Sequence, residues 1–364
     1  MIRLTVICTL ILSVPVVGKA QATASDVEPD AAPSSPNKRT LHIKLTDDVV
    51  TIPFRNVRKL ILLPVVIADR KVEFLFDTGF SESFIDTGIA RDRGIQLTKS
   101  FTSLQTGLSV MPTALARTNI NIGSKLNIEG QFMAADLGPL SRALGTPVAG
   151  VVGADALTPF VVVVNPQQCW IAIGFPGKVN INTSLKVDRK PENTQDVTAL
   201  LPNFAPNSIP FGPDFVTKAK INGRLVNLAI DYGSNEAISL QETIWQQVIP
   251  PASRTGRTNE AIRADGLKSS GEVAAADLDL GQMSASNVPI QSETIHRRDG
   301  IDGSLGLAVL GATTTVLDMP KRRLVLFPPN LELSVSASPE PSPNEPKADT
   351  NAPIRETDAA ARPD

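Results

Sequence analysis

Two aspartates in this chain occupy matched settings. Asp77 closes the apolar run Phe74-Leu75-Phe76 and precedes Thr78-Gly79; Asp231 closes Leu228-Ala229-Ile230 and precedes Tyr232-Gly233, 154 positions later. Two carboxyl groups held within hydrogen-bonding reach cannot comfortably both ionise, so they share a proton and offer an acid and a base at one pH. That pair suffices to hydrolyse an amide, because the base activates a water while the acid protonates the carbonyl oxygen. The titration belongs to the pair, so sequence assigns neither role to Asp77 or Asp231 individually. Glycine at 79 and 233 lets backbone come close to the carboxylates and donate N–H bonds that orient them.

Composition leaves few rival chemistries. Of 364 residues only 2 are His and 2 are Cys, which argues against His/Cys zinc sites, Ser-His-Asp triads and disulfide frameworks. No metal and no cofactor is expected. With 35 basic against 37 acidic side chains and no Lys/Arg-rich run, nucleic acid is not an expected partner.

The aspartates must be positioned by the elements around them, and those elements are duplicated. At the offset that superposes the two Asp-x-Gly triplets, Ala68-Asp69 falls on Asn222-Gly223, and Asn-Gly between apolar alternations is a strong hairpin signal. Val72, Phe74 and Phe76 match Val226, Leu228 and Ile230, so period two puts these side chains on one face and each Asp on the other. A second block, Gly150 to Pro166 against Gly303 to Pro320, repeats Gly150/Gly303, Gly153/Gly306, Leu157/Leu310 and Asn165/Asp318 at a common offset of 153. Helical periodicity is scarce, with Gln241 to Val248 the one good candidate, so a mostly β body is predicted.

The ends read differently. Residues 1–24 carry Arg3, an apolar run from Leu4 to Val17 and small residues at Ala20, Ala22 and Ala24, the pattern of an export signal peptide. Its removal would leave Cys169 as the sole thiol and no stable membrane insertion. The Asp, Glu, Pro, Ala and Ser of 25–39 and the Pro-rich stretch 331–364 predict a disordered linker and a disordered tail. The polar, Pro-interrupted segment 189–208 separates lobes expected at 40–188 and 209–330.

Phe74-Leu75-Phe76-Asp77-Thr78-Gly79, followed by Gly150 to Leu157, resembles the signature of aspartic peptidases of the pepsin and retropepsin type, and Leu228 to Ser234 with Gly303 to Leu310 resembles it again. The resemblance spans roughly residues 55–330. It implies an all-β, bilobal acid-protease-like fold with two β-barrel-like lobes, a cleft between them and a fused, monomeric chain. It further implies an exported aspartic endopeptidase, periplasmic or secreted, acting on polypeptide through a water held between Asp77 and Asp231. Thr78, Gly79, Tyr232, Gly233 and Ser234 would support the loops, and hairpin tips at Gly107, Leu108, Gly266 and Leu267 would serve as flaps over the substrate. Tyr232 departs from the family's Thr or Ser, whose hydroxyl locks the loops together; its phenol is expected to reach outward into the cleft, with Ser234 or Ser81 supplying a replacement hydroxyl. Phe80 stands where the family prefers a small residue. The alternative is a catalytically impaired peptide-binding module of the same fold.

Cys169-Trp170 reads as core packing in an apolar strand. Asp299-Gly300-Ile301-Asp302-Gly303 reads as a loop rather than a calcium site.

Overall fold

The computed structural model describes residues 4–6, 41–106, 109–185, 205–262, 266, 268–294, 297–329 and 331–338. Strands dominate: among the described residues the α-helices are Thr87–Asp92, Gly138–Leu144, Glu242–Val248 and Leu307–Leu310. The helix predicted over Gln241 to Val248 begins one residue later; Thr87–Asp92 and Leu307–Leu310 are too short to announce themselves by periodicity, and Gly138–Leu144, of equal length to the predicted one, opens on Gly-Pro, which reads as a turn. No helix among the described residues is long and apolar enough to cross a membrane.

The duplication seen in sequence is a duplication of sheet topology. In the N-terminal half, neighbouring strands run Leu97–Thr106, Ser109–Ile122, Leu60–Ile67, Arg70–Phe76, Gly150–Val152, Phe84–Asp86 and Leu126–Ala135, and the last pairs back onto Ser109–Ile122. The C-terminal half repeats this order as Arg254–Ile262, Lys268–Leu280, Val216–Ile221, Arg224–Ile230, Gly303–Leu305, Ile238–Gln241 and Met283–Glu293, and the last again pairs back onto Lys268–Leu280. Leu41–Leu45 extends the first sheet and Leu4–Val6 lies along the outer edge of the second. Such closure removes most exposed sheet edge.

Both tight hairpins form where the dipeptides predict them. Ala68 and Asp69 turn at φ 44 and 62, Asn222 and Gly223 at φ 50 and 78, the left-handed pair that a two-residue turn requires. The ends of these strands are buried on both faces rather than on the one that period two predicts: Phe74, Leu75 and Phe76 in one half and Leu228, Ala229 and Ile230 in the other are all covered, because each strand runs into the interior before its Asp.

A six-stranded sheet joins the halves, in the order Asn207–Pro210, Arg323–Phe327, Thr314–Asp318, Val161–Asn165, Trp170–Gly174 and Val49–Pro53. Its central pair is antiparallel across the halves, Val161 opposite Asp318 and Val164 opposite Thr315. Over its outer face lies a two-stranded sheet, Val179–Leu185 against Leu331–Ala337, with Val161, Val163, Ala172 and Val316 as a small core beneath Val179, Ile181 and Val335.

That last strand corrects two boundaries. The tail expected to be disordered from 331 instead begins with a strand, because Leu331, Leu333 and Val335 alternate and Leu333 is buried. The segment expected to link the halves up to 208 yields its last residues to Asn207–Pro210. Most of residues 1–24, expected as a signal peptide, the expected linker 25–39 and the residues beyond 338 lie outside the described residues.

Candidate active site

Each Asp ends a strand that is clamped by a parallel neighbour. Phe74–Phe76 pairs with Gly150–Val152, Leu228–Ile230 pairs with Gly303–Leu305, and the next amide in each case donates across the gap: Asp77 N to Val152 O at 3.1 Å, Asp231 N to Leu305 O at 2.9 Å. The turn that follows is also repeated. Gly79 N donates to Asp77 Oδ1 and Gly233 N to Asp231 Oδ1, both at 2.9 Å, while Phe80 N and Ser234 N bond back to the two Asp carbonyls at 3.3 and 3.4 Å.

The glycines of the second block lock these loops from beneath. A β-carbon on Gly153 would sit 2.5 Å from Glu82 O and 2.9 Å from Phe80 O; one on Gly306 would sit 2.4 Å from Glu236 O and 2.9 Å from Ser234 O. No side chain fits at either crossing.

The two loops meet. Asp77 and Asp231 are fully buried and within hydrogen-bonding reach of one another. A β-carbon on Gly79 would come within 2.7 Å of Asp231 Oδ1, and one on Gly233 within 1.9 Å of Asp77 Oδ2. Each glycine is therefore required by the carboxylate of the opposite half. Asp77 Oδ2 finds no donor among the described residues, and a proton on either carboxyl would turn this acceptor–acceptor contact into a hydrogen bond. Burial, then the neighbouring negative charge of Asp231, pushes the Asp77 carboxyl well above the usual carboxylate range. Burial also raises Asp231, to about 6, against the opposing pull of Arg297 and of the Gly233 amide. Neither a family model nor a curated protein matches this sequence.

Of the loop-support candidates, Thr78 lies between the two loops. Its hydroxyl donates to Ile230 O at 2.7 Å and accepts from Tyr232 N at 3.3 Å, tying the first loop to the second. Tyr232 does not reach into a cleft. It is wholly buried, its hydroxyl is hydrogen-bonded to Thr315 in the six-stranded sheet, and its ring meets Phe76 edge-on with centroids 5.4 Å apart. The reason is physical: a phenol in the place of a short hydroxyl carries a large apolar ring, which gains more under the loops than in water. Nor does Ser234 replace the missing hydroxyl across the halves; its Oγ accepts from Glu236 N at 3.4 Å within its own loop. Ser81 lies on the cavity wall described below.

The expected flap positions Gly107, Leu108 and Leu267 lie outside the described residues. Gly266 turns at φ 74 between the strands ending at Ile262 and beginning at Lys268, and lies against Pro139 of the other half, where a β-carbon would stand 2.6 Å from the proline Cβ. Beside the Asp77 loop opens a cavity of about 340 Å³, walled by Thr78, Gly79, Ser81, Ala229 and Phe215 and reaching Arg297. Among the described residues no cluster of three His, Cys, Asp or Glu side chains is placed to hold a metal.

Sequence reasoning passed over Arg297 and Glu293. They form a buried, two-pronged ion pair, with Arg297 Nη2 to Glu293 Oε2 at 3.0 Å and Nε to Oε1, and Arg297 Nη2 also reaches Ser304 Oγ at 3.2 Å and Ser239 Oγ at 3.3 Å. An arginine four residues after a glutamate in a polar stretch looks like surface; only Ser239 and Ser304, polar residues in otherwise apolar strands, hint at a buried partner.

Proposed function

We propose that the protein is an aspartic endopeptidase with a bilobal acid-protease-like fold, in which Asp77 and Asp231 act on one water between two homologous halves. The observation that carries this reading is the meeting of two identically built Asp-x-Gly loops, each carboxylate bonded to its own glycine amide and packed against the glycine of the other. One carboxyl, ionised, takes a proton from the water as its oxygen attacks the peptide carbonyl; the other, protonated, gives its proton to the carbonyl oxygen. An extended polypeptide is the substrate class that such a cleft between sheet edges takes, by main-chain pairing with side chains in alternating pockets. Export to the periplasm or beyond follows from the leader-like residues 1–24, with a monomer as the working unit, since both halves of the dyad come from one chain.

The purified protein should cleave unfolded casein, and Asp77→Asn and Asp231→Asn should each abolish cleavage. A second reading, a peptide-binding module without turnover, is favoured by one observation: both carboxylates are fully covered, so substrate reaches them only if covering segments move. Binding of casein peptides without cleavage at any pH from about 3 to about 8 would select it over the enzyme.

A further inference from the structure

The ion pair under the second loop is not repeated under the first. Ser239 lies opposite Ser304 in the strand pair beneath Asp231, where the same register beneath Asp77 sets Phe84 opposite Val151. Phe84 there packs edge-on against Phe80, centroids 5.3 Å apart, and Phe80 is the counterpart of Ser234. The places that Ser239 and Ser304 hold beside a buried guanidinium in the second half are thus filled by hydrocarbon in the first. Arg297 is anchored on the strand whose Leu305 carbonyl receives the Asp231 amide, and it borders the cavity that Gly79 and Ala229 also wall.

A buried ion pair is poor evidence of stabilisation in itself, since desolvating both charges offsets most of their attraction. Its placement suggests a different use. Building on the endopeptidase reading, we infer that Arg297, oriented by Glu293, Ser239 and Ser304, is a positioning residue that settles the dyad's single negative charge on Asp231 and its proton on Asp77. Asp231 is then the base that receives the water proton, and Asp77 the acid that protonates the carbonyl oxygen; the tetrahedral diol forms neutral and the dyad keeps one proton throughout. The directions already described agree: the Asp231 charge raises Asp77, and Arg297 draws Asp231 down.

The other ionisable groups facing this region do not duplicate the effect. Glu236 is buried on the Asp231 loop against the Gln291 amide, which, with its nitrogen turned toward the carboxylate, donates to it. Asp155 accepts from Ser83 N and Oγ at 3.0 and 2.6 Å. Arg298 pairs with Asp214 at 2.8 Å at the half-exposed mouth of the cavity.

The test exploits the opposite charges of the pair. In the full chain, Arg297→Met removes a positive charge near Asp231 and should move the acidic limb of kcat/KM on unfolded casein upward by about one pH unit. Glu293→Gln removes a negative charge and should move it downward, by less. Arg297→Lys should return the limb toward its original position. Shifts of the same sign, or no shift in folded variants, overturn the inference, because a merely structural fastener has no reason to give opposite signs. Should Arg297→Met fail to fold, the direction of Glu293→Gln alone decides. Titration of carboxyl-13C-labelled aspartate by NMR reads the same charge without turnover. If the wild type cleaves nothing yet the Asp231 signal moves in opposite directions in the two variants, the endopeptidase reading falls and the placement of the charge by Arg297 stands. Cleavage with an unmoved Asp231 titration does the reverse.

Discussion

The two halves share a backbone to the level of single hydrogen bonds and differ in what lies beneath it. Each carries its Asp at the same strand end, with the same amide bonds and the same glycine crossing. Under Asp77 the support is Phe80 and Phe84; under Asp231 it is Ser239, Ser304, Arg297 and Glu293. The cross-links differ as well: Thr78 reaches the other half, whereas Tyr232 turns away into the sheet that joins them. Duplication therefore conserved the geometry that brings two carboxylates together, and divergence acted on the dielectric and charge around each. For a shared-proton pair, that is where asymmetry has chemical value.

The largest expected effects lie at the glycines. Gly233→Ala places a methyl 1.9 Å from Asp77 Oδ2, Gly79→Ala one 2.7 Å from Asp231 Oδ1. Both should cost turnover by about 10²-fold or more, through displacement of the opposing carboxylate. Peptide hydrolysis should suffer more from Gly233→Ala; equal activity to wild type in either variant would contradict the interlocked arrangement.

Next in size is Tyr232. From the sequence resemblance alone, Tyr232→Thr is expected to preserve or improve turnover. The buried ring reverses that expectation: the substitution opens a cavity beside Phe76 and should lower stability by about 3–5 kcal/mol, read as the midpoint of urea unfolding. Tyr232→Phe, which removes only the bond to Thr315, should cost about 1 kcal/mol.

The carboxylates themselves should destabilise the fold near neutrality. Both native values lie above the unfolded one, so the folded state holds extra protons; that stabilisation is complete below about pH 4 and is lost as pH rises through the raised native values, about 6 for Asp231. Asp77→Asn should then gain on the order of 1–3 kcal/mol relative to wild type at pH 7 while gaining little at pH 4. A wild-type stability that rises over this interval and a variant that tracks it would refute the burial argument. The smallest effect separates the two loop hydroxyls: Thr78→Val, isosteric but unable to bond across the halves, should cost about 1–2 kcal/mol, and Ser234→Ala less, its one weak bond lying within a single loop.

Much of the architecture was legible because the signals are local and periodic. Ala68-Asp69 and Asn222-Gly223 announced turns, alternation announced the faces of the strands they join, and the constant offset announced a duplicated topology. The strand Leu331–Ala337 was missed because its Glu, Ser and Pro neighbours suggested disorder, although the alternation of Leu331, Leu333 and Val335 was present. Cys169 was read as a strand residue but occupies a turn at φ 56 between Val161–Asn165 and Trp170–Gly174. The aspartates and their glycines were found, whereas Arg297 was not, since its burial depends on Ser239 and Ser304, which lie 58 and 7 positions away in the chain. The direction of Tyr232 was likewise a tertiary matter: nothing local says that Thr315 awaits it.

The six-stranded sheet carries one further implication. Val161–Asn165 obtains its outer neighbour from Thr314–Asp318, so neither half owns a complete sheet. Cut from its partner, the first half would present a row of unsatisfied main-chain donors and acceptors flanked by four consecutive valines, an adhesive border that antiparallel self-association would satisfy. A severed half would thus tend to rebuild the missing side from a second copy of itself, and the fused chain is the arrangement that makes this recruitment unnecessary.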